Sequence, residues 1–317
     1  TYNFLWRIIN YFLHNYLDRR KNKGKEDNNR INERFGVTTK KRPEGSVIWL
    51  HGTSVGESVA ALALANSMKE HGYGDNENEF FLLTTNTISA ARLIKDKIKK
   101  GLPAIHQYHP YDHPKFVSKF LDHWKPDMAI FLESDFWPNL IYLTAKSRIP
   151  TILASSQMSN KSARFWRSFG YFLGKKIFSN VTQVLAVDPK QEMLFRKLGA
   201  PNVKSLTSLK SIAEKPPINQ NYIRNLKRSL IKKKILLAAS THPGEEELMI
   251  KLADQLRRQA HDNILIIIAP RHIKRSSIIQ NRIKAAGFDI KSRSKGEFPY
   301  KNDTFYLSDT MGEMGSL

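Results

Sequence analysis

Apolar residues in this chain fall in short β-rich runs, each followed by turn residues and then by a longer helix-forming stretch. SVIWLH, residues 46–51, reads as a strand; GTSVGE turns the chain, and SVAALALANSMKEHG reads as a helix ended by glycine. The rhythm repeats. EFFLLTT, AIHQYHP, DMAIFLE, TILASS and VTQVLAVD read as strands. ISAARLIKDKIKK, HPKFVSKFLDHW, a stretch from Trp137-Pro138-Asn139 to about Arg148, SARFWRSFGYFLGKKIFS and PKQEMLFRKLG read as helices. Such alternation predicts a parallel sheet covered on both faces and built from right-handed βαβ units.

Residues 200–233 break the rhythm with Pro201, Pro216 and Pro217, and they read as an interdomain crossing plus a helix around 219–231. A second series begins at KILLAAS. A helix over 245–259, the strand NILIIIAP, a helix over 276–286 and the strands FDIKSRS and DTFYLSD follow. The expected domains are an N-terminal arm at 1–45, a Rossmann-like domain at 46–205 and a second at 206–317. About four strands are few for an open α/β sheet, so the second domain is expected to be truncated. The first residue is Thr rather than Met, and a preceding segment is expected.

Charge adds a direction. The 317 residues carry a formal charge of +22, which favours polyanions: nucleic acid, anionic lipid or a phosphorylated substrate. No zinc finger, RRM or KH signature accompanies it, so nucleic acid is not expected as a partner. The absence of Cys excludes disulfides, thiolate metal sites and thiol nucleophiles. No apolar run reaches the roughly 18 residues of a membrane span. The N-terminal stretch TYNFLWRIINYFLHNYL is aromatic-rich and precedes Arg19, Arg20, Lys21, Lys23 and Lys25. It reads either as an interfacial membrane helix or as an amphipathic helix packed on the protein itself.

Chemistry-bearing residues cluster directly after strands. His51-Gly52-Thr53-Ser54-Val55-Gly56-Glu57 lies between the first strand and helix. Glu57 in the first helical turn is a candidate base for a hydroxyl nucleophile; Ser54 and Glu57 also have the spacing of a capping box. Glu133-Ser134-Asp135-Phe136-Trp137-Pro138-Asn139 follows DMAIFLE; its two carboxylates suit a sugar hydroxyl or developing positive charge, or they cap the next helix. Ser240, Thr241 and His242 precede a helix, where hydroxyls and backbone N–H groups suit phosphate. Arg271, after Pro270, can fork onto a phosphate, and Asp309-Thr310-Met311-Gly312-Glu313 forms another turn suited to a nucleotide. Neither dinucleotide nor P-loop glycine patterns occur, G-x-S-x-G is missing, and no metal site is expected.

Taken together, SVGE at 54–57, ESDFWPNL at 133–140, ASTHPGEE at 239–246, PRH at 270–272, DTMGE at 309–313 and ERFG at 33–36 resemble the 3-deoxy-D-manno-octulosonic acid (Kdo) transferases of Gram-negative bacteria. The resemblance implies an α/β GT-B glycosyltransferase fold of two Rossmann-like domains. It implies an inverting, metal-independent transfer of Kdo from CMP-Kdo to the lipid A precursor (lipid IVA) in lipopolysaccharide biosynthesis, at the cytoplasmic face of the inner membrane. No cofactor is implied beyond the donor substrate, and the expected partners are CMP-Kdo, the lipid acceptor and the anionic membrane surface. Glu57 would be the general base, Glu133 and Lys210 would stabilise the transition state, and Pro270, Arg271, Met311, Gly312 and Glu313 would contact CMP. Ser240, Thr241 and His242 would be phosphate or donor contacts. The alternatives are another GT-B nucleotide-sugar transferase, or an inactive, truncated remnant that binds membranes or polyanions.

Overall fold

The computed structural model describes residues 2–74, 78–168, 170–206, 208–209, 218–230, 233–259 and 263–317. It divides into two compact units, Thr1–Ala213 and Glu214–Leu317. Lys210 lies outside the described residues.

In unit 1 the strands are β1 (Ser46–His51), β2 (Glu79–Thr85), β3 (Ala104–Tyr108), β4 (Met128–Leu132), β5 (Thr151–Ser156), β6 (Gln183–Ala186) and β7 (Val203–Ser205). They form a seven-stranded sheet in the order β3-β2-β1-β4-β5-β6-β7, and every pairing is parallel. Strand residues alternate between the two faces. Val47 and Trp49 enter a core with Phe120, Trp124 and Phe131, whereas Ile48 and Leu50 enter another with Phe81, Leu83 and Leu132. A strand buried on both faces must be apolar throughout, which is why SVIWLH reads as an unbroken run.

The helices are α1 (Tyr2–Asn22), α2 (Val55–Glu70), α3 (Ile88–Lys99), α4 (Pro114–Trp124), α5 (Pro138–Lys146), α6 (Asn160–Arg167), α7 (Tyr171–Phe178) and α8 (Pro189–Lys197). The single helix expected over 162–179 is broken into α6 and α7. The Gly170 amide closes α6 by donating to the Phe165 carbonyl at 2.9 Å, and a Cβ on Gly170 would stand 2.7 Å from the Phe165 ring. Strand β7 falls in the segment read as an interdomain crossing; at three residues it is too short to show a period.

Helix α1 buries Trp6, Leu13 and Leu17 and leaves Phe4, Leu5, Ile8, Tyr11 and Phe12 exposed. Its inner face is tied down at both ends. The Tyr2 hydroxyl donates to Asp112 at 2.6 Å, and Arg20 donates to Glu26 at 2.6 Å. Glu26 also receives Arg34, whose side chain is 1% exposed, in an ion pair at 3.0 Å. The ERFG stretch explains itself here. Glu33 accepts from the Tyr108 amide, Phe35 meets the His14 and Phe116 rings, and Gly36 adopts φ 74° with its Cα facing the Phe116 carbonyl too closely for a Cβ.

Unit 2 holds β8 (Lys234–Thr241), β9 (Ile264–Pro270), β10 (Ile290–Ser292) and β11 (Phe305–Leu307), in a parallel sheet ordered β10-β11-β9-β8. Helices α9 (Gln220–Ser229), α10 (Glu245–Arg258) and α11 (Ser276–Ala285) accompany it. Ile266, Ile268, Phe305 and Leu307 pack under Ile279 and Ile283, and Leu265, Ile267 and Tyr306 pack against Tyr222 and Leu226 on the other face.

Candidate active site

In unit 1 the strand order reverses direction at β1, which has β2 on one side and β4 on the other. Loops leaving β1 and β4 therefore diverge and open a crevice at the carboxyl ends of the strands, the usual ligand position in such sheets. The register sets His51 beside Phe131, so the loops that follow, 52–57 and 133–137, emerge side by side.

Thr53 joins them. Its amide donates to Asp135 Oδ2 at 3.3 Å, and its hydroxyl donates to Glu57 Oε2 at 2.8 Å. Glu57 Oε2 also accepts from the Ser54 amide at 2.7 Å, while Ser54 Oγ accepts from the Glu57 amide at 3.3 Å. The capping box allowed by the spacing is thus formed. It occupies Oε2, which holds the carboxylate in one orientation beside Asp135. Gly52 makes this approach possible, because a Cβ there would lie 2.8 Å from Glu57 Cβ.

The two carboxyl groups titrate in opposite directions. Burial raises the proton affinity of Glu57, but the Ser54 amide and the Thr53 hydroxyl outweigh it and hold the group below the usual carboxylate range. Burial, and then the Glu57 charge, push Asp135 up to about 7. Below neutral pH the pair keeps Glu57 ionised and a proton on Asp135. Beneath them His51 is fully buried, with Nδ1 2.8 Å from Thr84 Oγ1, and burial pushes it down to about 4, so it is neutral.

Glu133 is buried at the end of β4 and adopts φ 62°. Ser155, on the neighbouring strand, adopts φ 54°. Left-handed backbone at non-glycine residues is costly and concentrates at functional sites. Ser155 Oγ accepts from the Leu209 amide at 3.2 Å and lies 3.2 Å from Ser208 Oγ. The two residues before Lys210 are therefore fastened to the strand next to Glu133.

In unit 2 the candidate residues also gather at carboxyl strand ends, here of the neighbours β8, β9 and β11. Ser240 adopts φ 57° at a register shift in β8 and is exposed, as are His242 and Arg271; Thr241 and Pro270 are buried. The Arg271 amide donates to the Thr241 carbonyl at 3.0 Å. The Thr241 hydroxyl is spent on Glu246 at 2.8 Å, and Glu246 receives both Arg275 nitrogens at 2.8 and 2.9 Å. Glu313 receives Arg293 at 3.0 and 2.9 Å and the Thr310 hydroxyl, and that guanidinium holds its carboxyl below the usual range. Asp309 accepts from the Ser294 amide and hydroxyl at 2.8 and 2.7 Å. Met311 and Gly312 form the exposed tip of this loop.

Sequence reasoning paired Asp135 with Glu133; the structure pairs it with Glu57 and adds Thr53 as the bridge. The signal available was the β1–β4 adjacency, which follows from a 3-2-1-4 strand order but from no local motif. Among the described residues no group of three His, Asp or Glu side chains is placed to hold a metal ion.

Comparison with known proteins supplies the family. The family model of 3-deoxy-D-manno-octulosonic-acid transferase (kdotransferase) matches residues 29–213. A 3-deoxy-D-manno-octulosonic acid transferase from Rickettsia bellii is 35% identical over 293 residues, covering 92% of this chain and 68% of the relative. A probable mitochondrial 3-deoxy-D-manno-octulosonic acid transferase from Arabidopsis thaliana is 32% identical over 99% of this chain and 71% of its own length. Among solved structures, the UDP-GlcNAc 2-epimerase of Neisseria meningitidis bound to UDP-GlcNAc is similar with a TM-score of 0.58 and 10% identity, covering 85% of this chain and 73% of that one. That likeness is one of fold, the GT-B class that the family resemblance implied. On the extent of these matches, the chain belongs to the Kdo transferase family of glycosyltransferases.

Proposed function

We propose that the chain transfers Kdo from CMP-Kdo to the glucosamine disaccharide of a lipid A precursor, lipid IVA, in lipopolysaccharide biosynthesis, with inversion at the anomeric carbon and without a metal ion. One observation carries the reading: an ionised, oriented Glu57 stands at the switch point of unit 1, where a sugar hydroxyl can bind. A sugar hydroxyl is a weak nucleophile, so a fixed carboxylate that takes its proton as the bond forms is useful. The acceptor oxygen bonds to the anomeric carbon. The bond from that carbon to the phosphate oxygen breaks, its electron pair leaves on cytidylate, and the hydroxyl proton passes to the carboxylate.

Glu133 and Lys210 are assigned to the positive and negative charge that develop at the sugar and the leaving phosphate. Donor binding is assigned to unit 2. Arg271, exposed beside Pro270, and the loop Met311-Gly312-Glu313 contact CMP; Ser240, Thr241 and His242 contact phosphate. Arg293 and Ser294 hold that loop in shape from one side, through Glu313 and Asp309.

The acceptor lies in a membrane, and α1 suits one. Its outward face carries Phe4, Leu5, Ile8, Ile9 and Phe12, with Arg19, Arg20 and Lys21 in its last turn. Among the described residues no helix is long and apolar enough to cross a bilayer. We place the chain on the cytoplasmic face of the inner membrane through this helix lying in the headgroup layer.

Calorimetric titration with CMP and with UDP, followed by a transfer assay with CMP-Kdo and lipid IVA, tests the reading. CMP is expected to bind more tightly and labelled Kdo to appear on the lipid. Preference for UDP overturns the donor assignment.

A further inference from the structure

We propose that Asp135 is the positioning partner of Glu57: the two carboxyl groups share one proton, which Asp135 must release before Glu57 can accept another from the acceptor hydroxyl. The inference rests on the reading above that Glu57 takes that proton.

The geometry comes first. Thr53 contacts both groups at once, by its amide to Asp135 and by its hydroxyl to Glu57. The capping box spends Glu57 Oε2 on Ser54 and Thr53 and so leaves Oε1 for a proton. The titratable group that faces Asp135 is Glu57 from α2, and neutral His51 from the end of β1 lies within electrostatic reach of Glu57. Among the described residues no lysine or arginine bonds to Asp135 or Glu57, so a second negative charge here is resisted.

Below neutrality Asp135 keeps the shared proton beside Glu57, and the acceptor hydroxyl is not deprotonated. Above neutrality both groups are ionised. Coupling is reciprocal, so the Asp135 charge then raises the proton affinity of Glu57 and makes it a stronger base. No redox partner is involved: the proton gained during transfer leaves to solvent.

The test is the pH dependence of kcat for the full chain with CMP-Kdo and lipid IVA. The wild-type acid limb is expected near the upper value of the pair, about 7. In Asp135→Asn the limb is expected to move down by more than one pH unit, and kcat at pH 8 to fall about tenfold as the base weakens, with KM for CMP-Kdo within about twofold. Asp135→Glu is expected to restore the limb. An Asp135→Asn profile that keeps the wild-type limb overturns the proposal.

A second measurement separates this failure from failure of the base assignment. If Glu57→Gln transfers Kdo at the wild-type rate, the base assignment falls. Proton sharing is then read directly by carboxyl carbon NMR, in which the Asp135 signal should titrate near 7 in the wild type and at lower pH in Glu57→Gln, where burial still raises it but the Glu57 charge no longer does. An unchanged Asp135 titration in that variant overturns the sharing.

Discussion

The two units place carboxylates at the same topological position, just past the carboxyl ends of parallel strands, yet surround them differently. In unit 1, Glu57 accepts an amide and a hydroxyl, Asp135 accepts an amide, and Thr53 touches both. In unit 2, Glu246 and Glu313 each accept two nitrogens of one arginine, Arg275 and Arg293, and Arg293 also lies 4.0 Å over the Tyr222 ring. An arginine fork fixes a carboxylate as an anion across the working pH range. Unit 2 therefore uses its acids as struts that shape loops. At the carboxyl ends of its strands, unit 1 leaves Glu57 and Asp135 able to exchange protons. One fold thus carries both roles, and the neighbouring cation decides between them.

The sharpest way to break this contrast is to neutralise the exchanging acid. Glu57→Gln keeps a side chain that can still complete the capping box, so the fold should hold within about 1 kcal/mol. Transfer should fall by roughly 10²–10⁴-fold. Single-turnover transfer beside a thermal melt checks both halves; a variant that loses its fold with its activity would assign Glu57 to structure alone.

The mirror experiment removes a cation from a strut. Arg275→Met leaves Glu246 buried without its partner, and roughly 3–5 kcal/mol of unit 2 stability should be lost. Urea unfolding, read by the signal of unit 2, measures it. Glu246→Gln in the same background should recover much of the loss, since the orphaned charge is gone.

Asp112 sharpens the contrast from within unit 1. It accepts the Asn139 and Leu140 amides at 3.0 and 2.7 Å, and so caps α5, with no lysine or arginine bonded to it among the described residues. Burial pushes it up to about 7. The native state then binds a proton between about 4 and 7 that the unfolded chain has released, so the stability it contributes is full below about 4 and is lost as pH rises through 7. Asp112→Asn should flatten the stability difference between pH 6 and pH 8 while costing about 1 kcal/mol as a weaker cap. Unfolding curves at the two pH values decide it; an unflattened difference places the titration elsewhere. The smallest effect is expected for Tyr2→Phe, which removes the hydroxyl on Asp112. It should cost about 0.5–1.5 kcal/mol and increase proteolysis within α1.

Most strands and helices were legible because their signal is local. Runs such as SVIWLH and NILIIIAP must be apolar on both faces to lie inside a parallel sheet, and Pro114, Pro138 and Pro189 stand at the first position of their helices. The break at Gly170 was less legible, because the helix pattern continues across it and only the seat of Phe165 on that glycine ends the turn. Strand β7 has three residues and, among the described strands, pairs with β6 alone. Its existence depends on a neighbour rather than on its own composition.

The candidate site divides in the same way. The capping box of Ser54 and Glu57 could be written down from a spacing of three, since both partners lie on one helical turn. The pairing of Glu57 with Asp135 spans 78 positions and follows only from β4 lying beside β1. The arginine partners of Glu246 and Glu313 stand 29 and 20 positions away, beyond any local motif. Local order along the chain was thus set by side-chain chemistry within a turn or a strand, and with it the family signature. Which acids could move a proton was decided by tertiary structure, because proton affinity depends on burial and on the charges that folding brings within a few ångströms.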